Sequence, residues 1–117
     1  MNVREVEYIT IPVTNLDASL RFYHEVFDLP IIELNDGSQG AQLNKHFIKF
    51  KPVERVDYPV EFGFIDKDTM DNIHAHLINY FVDIVEDPHE TNELRRKATS
   101  ITILDPDKNR IEITVFD

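Results

Sequence analysis

The feature that most constrains this chain is an internal repeat. Shifting the sequence by 53 residues lays Ile9 on Phe62, Ile11 on Phe64, Leu20 on Ile73 and Ile31 on Ile84. Self-similarity at a fixed offset marks a duplicated architecture. In the first copy residues 7–13 alternate, with Ile9, Ile11 and Val13 on one face and Tyr8, Thr10 and Pro12 on the other. That is the pattern of a strand buried on one side. Thr14 and Asp17 form a capping-box-like start, and Leu16, Leu20, Tyr23 and Phe27 follow as a helical stripe that Pro30 ends. Strand-like pieces come next, over 31–34, about 41–43 and 47–51, with a turn through Asn35, Asp36 and Gly37. The second copy opens with a strand over 60–65. Asp66 or Asp68 can cap its helix, whose stripe is Met70, Ile73 and Leu77. Strands are then expected over 82–85, 98–104 and 110–115.

Each copy therefore reads β-α-β-β-β. A helix with one apolar stripe covers one sheet face and leaves the other for something else. The expected fold is α+β, a single domain over 1–117 made of two βαβββ modules, about 5–52 and 58–116. Its core is expected to hold mainly Ile9, Ile11, Leu20, Phe22, Phe27, Phe62, Phe64, Ile73, Leu77, Ile101, Ile103, Ile111 and Ile113. The same shift places Tyr8 on Glu61, both opposite the core positions. In the last strand Ile111, Ile113 and Val115 take the core face, so Glu112 and Thr114 take the other. Tyr8, Glu61 and Glu112 are expected to line one surface.

Residues 105–109 read Asp-Pro-Asp-Lys-Asn and invite comparison with a calcium loop. An EF-hand needs glycine at its sixth position and glutamate at its twelfth. Here those are Arg110 and Phe116, so the segment is a turn between two strands. The formal net charge of -10, from 12 basic and 22 acidic side chains, argues against nucleic acid and against anionic membrane surfaces. Without cysteine there is no disulfide, thiolate metal site or cysteine nucleophile. Residues 1–5 lack a signal-like apolar core and no apolar run reaches membrane length, so a cytoplasmic protein is expected.

Three stretches, 8–30, 74–88 and 100–113, resemble the vicinal oxygen chelate superfamily: glyoxalase I, bleomycin-resistance proteins and extradiol dioxygenases. The last resembles that family's aspartate-proline-aspartate-glycine-asparagine turn followed by Ile-Glu-aliphatic. The resemblance implies a curved half-barrel sheet around a cleft, where metal-dependent members hold a divalent ion from the first and last strand of each module. The corresponding residues here are Tyr8, Lys49 or Lys51, Glu61 and Glu112. Only the two glutamates offer good oxygen ligands, because an ammonium has no lone pair to donate. No tightly bound metal or other cofactor is therefore expected. The alternative is a loosely bound divalent ion on Glu61 and Glu112, in a lyase, isomerase or dioxygenase.

The expected cleft lining is Tyr8, Thr10, Lys49, Lys51, Glu61, Thr102 and Glu112, with Glu61 and Glu112 as candidate acid/base groups. Lys49 and Lys51 are either edge-strand charges or cleft cations, one of them paired with Glu61 or Glu112. Arg95, Arg96 and Lys97 are either solvated or rim a cleft and attract an anion. His74 and His76 face different ways on a helix, and His24, His46 and His89 have no ligand-spaced partners. The expected function is small-molecule binding. A homodimer is also expected, since Tyr58, Val60, Phe81 and Phe116 are large apolar residues near element ends.

Overall fold

The computed structural model describes residues 1–117. The chain forms two compact units, Met1–Tyr58 and Pro59–Asp117. The first contains β1 (Tyr8–Val13), α1 (Leu16–Phe27), β2 (Ile31–Glu33), β3 (Gln39–Leu43) and β4 (His46–Pro52). Its sheet runs β1-β4-β3-β2, with β1 parallel to β4 and the other pairs antiparallel. The second contains β5 (Glu61–Ile65), α2 (Met70–Asn79), β6 (Asp83–Thr91), β7 (Ala98–Leu104) and β8 (Arg110–Phe116). Its sheet runs β5-β8-β7-β6, again with the first pair parallel and the rest antiparallel. The fold is α+β: two βαβββ modules, each an open four-stranded mixed sheet with one helix.

Both helices start elsewhere than the sequence leads one to expect. Asn15, not Thr14, caps α1, its Oδ1 accepting from the Ala18 N–H at 3.1 Å. Asp17 then lies in the first turn, where a carboxylate favours the helix dipole. Thr69 caps α2 by accepting from the Asn72 N–H. Asp66 and Asp68 act one step earlier: Asp66 accepts from the Asp68 N–H, and Asp68 accepts from Thr69 N–H and Asn72 Nδ2. Those two bonds, the Asn72 one foremost, lower the Asp68 pKa. Adjacent cap-forming side chains compete for the same few free N–H groups, and geometry rather than residue type selects the winner. At the other end of α1, Asp28 takes the left-handed conformation (φ 57°) and His24 Nδ1 bonds the Leu29 carbonyl, so the chain leaves the helix just before Pro30.

The core consists of Ile11, Val13, Tyr23, Val26, Ala41, Ile48 and Phe50 in the first unit. In the second it is Ile73, Leu77, Ala98, Ile101, Ile103, Ile111 and Ile113. Ile9, Leu20, Phe22, Phe27, Phe62 and Phe64, expected inside, are only half-buried. In the first unit Tyr23 and Phe50 take the centre, both fully buried with ring centroids 5.3 Å apart. Phe22 and Phe27 pack edge-on at the flank of this cluster.

β6 runs six residues past the expected strand end at Val85. Asp87 and Pro88 read as a breaker, yet β6 is an edge strand, and an edge tolerates a proline that donates no ladder bond. The register shifts between Ile84 and Glu86 and again between Glu86 and His89. Such bulges re-aim side chains.

The 105–109 turn is a hydrogen-bonded hub. Asp105 Oδ1 accepts from the Asp107 and Asn109 N–H groups, and its Oδ2 accepts from Asn109 Nδ2, each at 2.9 Å. Asn109 Oδ1 accepts from the Val60 N–H at 3.0 Å, tying the hairpin to the start of β5. Lys108 sits at φ 66°, the left-handed region that suits glycine.

Candidate functional site

Each sheet has an apolar face and a polar one, and the strand registers decide which polar side chains meet. In the first unit β1 pairs Tyr8 with Phe47, Thr10 with Lys49 and Pro12 with Lys51. Alternation puts all six on the face opposite Ile48 and Phe50. The Tyr8 ring stacks on Phe47, centroids 5.0 Å apart and planes within 10°. Lys49 Nζ donates to Asp36 Oδ2 at 2.9 Å. Asp36 also accepts from the Ser38 hydroxyl and N–H. The Ser38 hydroxyl first, and Lys49 second, hold the Asp36 carboxyl well below the usual carboxylate range. Asp36 in turn raises the Lys49 pKa. Lys51 stands exposed.

The registers also show which lysine takes the position equivalent to Glu112. Thr10 and Gly63 coincide in the repeat; β1 pairs Thr10 with Lys49, and β5 pairs Gly63 with Glu112. Lys49 is therefore the counterpart of Glu112 in its own unit. Where the second unit carries a carboxylate, the first carries an ammonium already committed to Asp36, which cannot ligate a cation.

In the second unit β5 pairs Glu61 with Arg110, while β7 pairs Thr102 with Glu112 and Ser100 with Thr114. All six share one face. Glu61 is exposed, Glu112 half-buried and Thr102 buried. The Ser100 and Thr114 hydroxyls, both buried, bond each other at 3.0 Å. On the neighbouring strand Glu86 pairs with Thr102 in the ladder and forms an ion pair and hydrogen bond with the Arg110 guanidinium. His89 Nε2 lies 3.8 Å from the second Glu86 oxygen.

The sequence reading names Glu61, Thr102 and Glu112 but misses Arg110, Glu86 and His89. Arg110 was legible, being two residues from Glu112 on an alternating strand. Glu86 and His89 were not, since they lie past the expected strand end, Glu86 beyond one register shift and His89 beyond two. The reading also looks to Lys51 or Lys49 to offset the two glutamates. Within the second unit Arg110 is placed to do so, as ladder partner of Glu61 and ion-pair partner of Glu86. The resulting face presents carboxylates, a guanidinium, an imidazole and hydroxyls. It can donate to and accept from a polar molecule at several points. In neither unit do three His, Asp or Glu side chains converge so as to hold a metal ion.

No helix is long and apolar enough to cross a membrane. The nearly full-length structural likeness to known proteins is high. The crystal structure of virulence protein STM3117 from Salmonella typhimurium superposes with a TM-score of 0.89 at 21% identity, covering 100% of both chains. In a sequence comparison that protein is 24% identical over 99% of this chain and 87% of its own length. The glyoxalase domain-containing protein RDO1 of Mycosarcoma maydis is also 24% identical, over 99% of this chain and 70% of its own. An integron cassette protein from V. cholerae, VCH_CASS1, gives a TM-score of 0.88 at 18% identity, covering 100% of this chain and 98% of that one. The family model for the glyoxalase/bleomycin resistance protein/dioxygenase superfamily matches residues 5–113, which takes in both βαβββ modules and the 105–109 turn. With the strand order of both units repeating the same plan, the chain belongs to the glyoxalase/bleomycin resistance protein/dioxygenase superfamily.

Proposed function

We propose that this protein binds a small polar organic molecule on the polar sheet face of its Pro59–Asp117 unit, without a tightly bound metal. What supports this reading is the chemistry of the side chains at and beside the positions where the family resemblance implies metal ligands. In the first unit Tyr8 is stacked on Phe47 and Lys49 is bonded to Asp36; in the second Glu86 pairs with Arg110, and Glu112, two residues along the same strand face, stands opposite Thr102 in the ladder. A bidentate-capable guanidinium with carboxylates and a hydroxyl on the same sheet face is what orients a small polar ligand. Two carboxylates, Glu61 and Glu112, fall short of the three protein ligands of a catalytic zinc site. No chemical step is assigned to a cation here. A homodimer belongs to the same proposal, supported by Tyr58 and Phe81, which are 88% and 92% exposed.

The test is an amide NMR screen with small hydroxy acids, amines and sugars. Binders should shift the amides of Thr102, Arg110 and Glu112, and should lose at least about tenfold in affinity in Glu112→Gln or Arg110→Gln. The absence, across these classes, of any hit that maps to these amides would remove the reading. Elemental analysis after mild purification should show far less than one nickel, zinc, iron or manganese per chain; near-unit metal would refute the metal-free part. Sedimentation equilibrium at moderate salt should give about twice the 13.7 kDa chain mass, and a monomer mass would refute the dimer.

A further inference from the structure

A second feature of the Pro59–Asp117 unit is not used by the polar cluster. At one end of the polar face, Ile65 and Phe116, the last residues of β5 and β8, line a recess of about 240 Å³ with Arg95 and Arg96 from the β6–β7 connection. The two apolar side chains belong to the same face as Glu61 and Glu112, since each lies an even number of residues along its strand. The Arg96 guanidinium carbon stands 4.3 Å from the Phe116 ring centroid, in cation–π contact. Neighbouring Lys97 is paired with Glu90. Arg95 and Arg96 have no carboxylate partner, in a protein whose acidic side chains outnumber its basic ones 22 to 12.

We infer that this recess is a binding site for a small organic acid with an apolar or aromatic body, the carboxylate held by Arg95 and Arg96 and the body resting on Ile65 and Phe116. Three physical arguments lead there. An unpaired guanidinium pair presents several N–H donors in a planar fork that matches a carboxylate. The apolar lining has no donor or acceptor to offer a sugar or a free inorganic ion, so affinity beyond the charge must come from an apolar body. Volume sets the size: pockets for drug-sized ligands measure roughly 300–1,000 Å³, so the smaller recess suits a fragment of single-ring size. The Phe116–Arg96 contact also holds one cation in place before any ligand arrives, which lowers the ordering cost of binding.

This inference stands apart from the reading of the Glu86–Arg110–Glu112 cluster. Phe116 is four residues from Glu112 along an extended strand, about 13 Å, more than a Debye length at physiological salt. The experiment uses benzoate as the probe, with benzamide as its neutral isostere and inorganic phosphate as the bare anion, each titrated into the ¹⁵N-labelled full chain. Benzoate should shift the amides of Ile65, Arg95, Arg96 and Phe116 and bind at least about tenfold more tightly than either control. Arg95→Gln with Arg96→Gln together should abolish this preference for benzoate over benzamide. Both positions are exposed, and an unchanged amide spectrum elsewhere would show that the variant is folded. Glu112→Gln should leave benzoate affinity within about twofold. Phe116→Leu keeps an apolar floor without an aromatic face and should weaken benzoate without creating a preference for phosphate. Equal binding of benzamide, equal binding of phosphate, or unchanged benzoate binding in the double arginine variant would each overturn the assignment. If Glu112→Gln abolishes benzoate binding, the ligand belongs to the polar cluster and the recess is not a separate site.

Discussion

Replacing Asn109 by alanine should reveal how far the 105–109 turn holds the second unit together. The Asn109 side chain is fully buried. The Val60 N–H loses its acceptor, and Asp105 Oδ2 loses the Nδ2 donor. A neutral hydrogen bond contributes about 0.5–1.5 kcal/mol and one to a charged group about 1.5–3 kcal/mol. The Val60 N–H, part-buried, is left without its acceptor, which adds a desolvation cost to the loss. The expected destabilisation is about 2–4 kcal/mol, a drop of roughly 10 °C in Tm for a chain of this size. Urea unfolding followed by circular dichroism measures it, and amide exchange at Val60 localises it. Asn109→Asp is the informative companion. It preserves an acceptor for Val60 but sets a second carboxylate against Asp105, and should be no better than alanine. A loss under about 0.5 kcal/mol, with the Val60 amide still protected, would show that the turn is not a structural hub.

Other expectations follow from the same geometry. Lys108→Gly should stabilise by about 0.5–1 kcal/mol: the left-handed conformation costs a side-chain-bearing residue about 1–2 kcal/mol, and glycine's freedom in the unfolded chain offsets part of it. A lower urea midpoint in that variant would contradict this. A Cβ at Gly40 would stand 2.4 Å from the Ile48 carbonyl oxygen, so Gly40→Ala must push β3 from β4 and lose about 1–3 kcal/mol. Gly63→Ala meets only the Glu112 carbonyl at 3.4 Å and should stay within about 0.5 kcal/mol, so equal losses at the two sites would refute the steric account. Asp36 has a depressed pKa in the folded protein, so its contribution is fully present above the unfolded carboxylate value of about 3.9 and is lost as pH falls through the lower folded value. Asp36→Asn should flatten that part of the acid dependence of unfolding, and Lys49→Met should raise the Asp36 pKa in an NMR titration, with the Ser38 bonds keeping part of the shift. An unmoved Asp36 titration in Lys49→Met would dismiss the ion pair.

Alternation and repetition alone were enough to specify much of this protein. Hydrophobic period sets which face of a strand is buried, and the 53-residue shift required the two halves to share a plan. The faces carrying Tyr8, Thr10, Glu61 and Glu112 were therefore readable, as were both helices and most strand positions. Registers were not, because strand pairing is a contact between distant segments that no local pattern encodes. That is why Lys49, rather than Lys51, emerged as the counterpart of Glu112 only with the β1–β4 ladder. Caps were decided by which side chain reaches a free N–H, so Asn15 and Thr69 displaced Thr14 and the two aspartates. Tyr23 and Phe50 became the first unit's centre because the sheet and helix bring their rings together, whereas period alone puts Tyr23 on one stripe with Leu16, Leu20 and Phe27 without ranking them. Glu86 and His89 were out of reach for a different reason. A bulged edge strand breaks the two-residue alternation, and only the folded sheet shows which face a side chain takes after each shift.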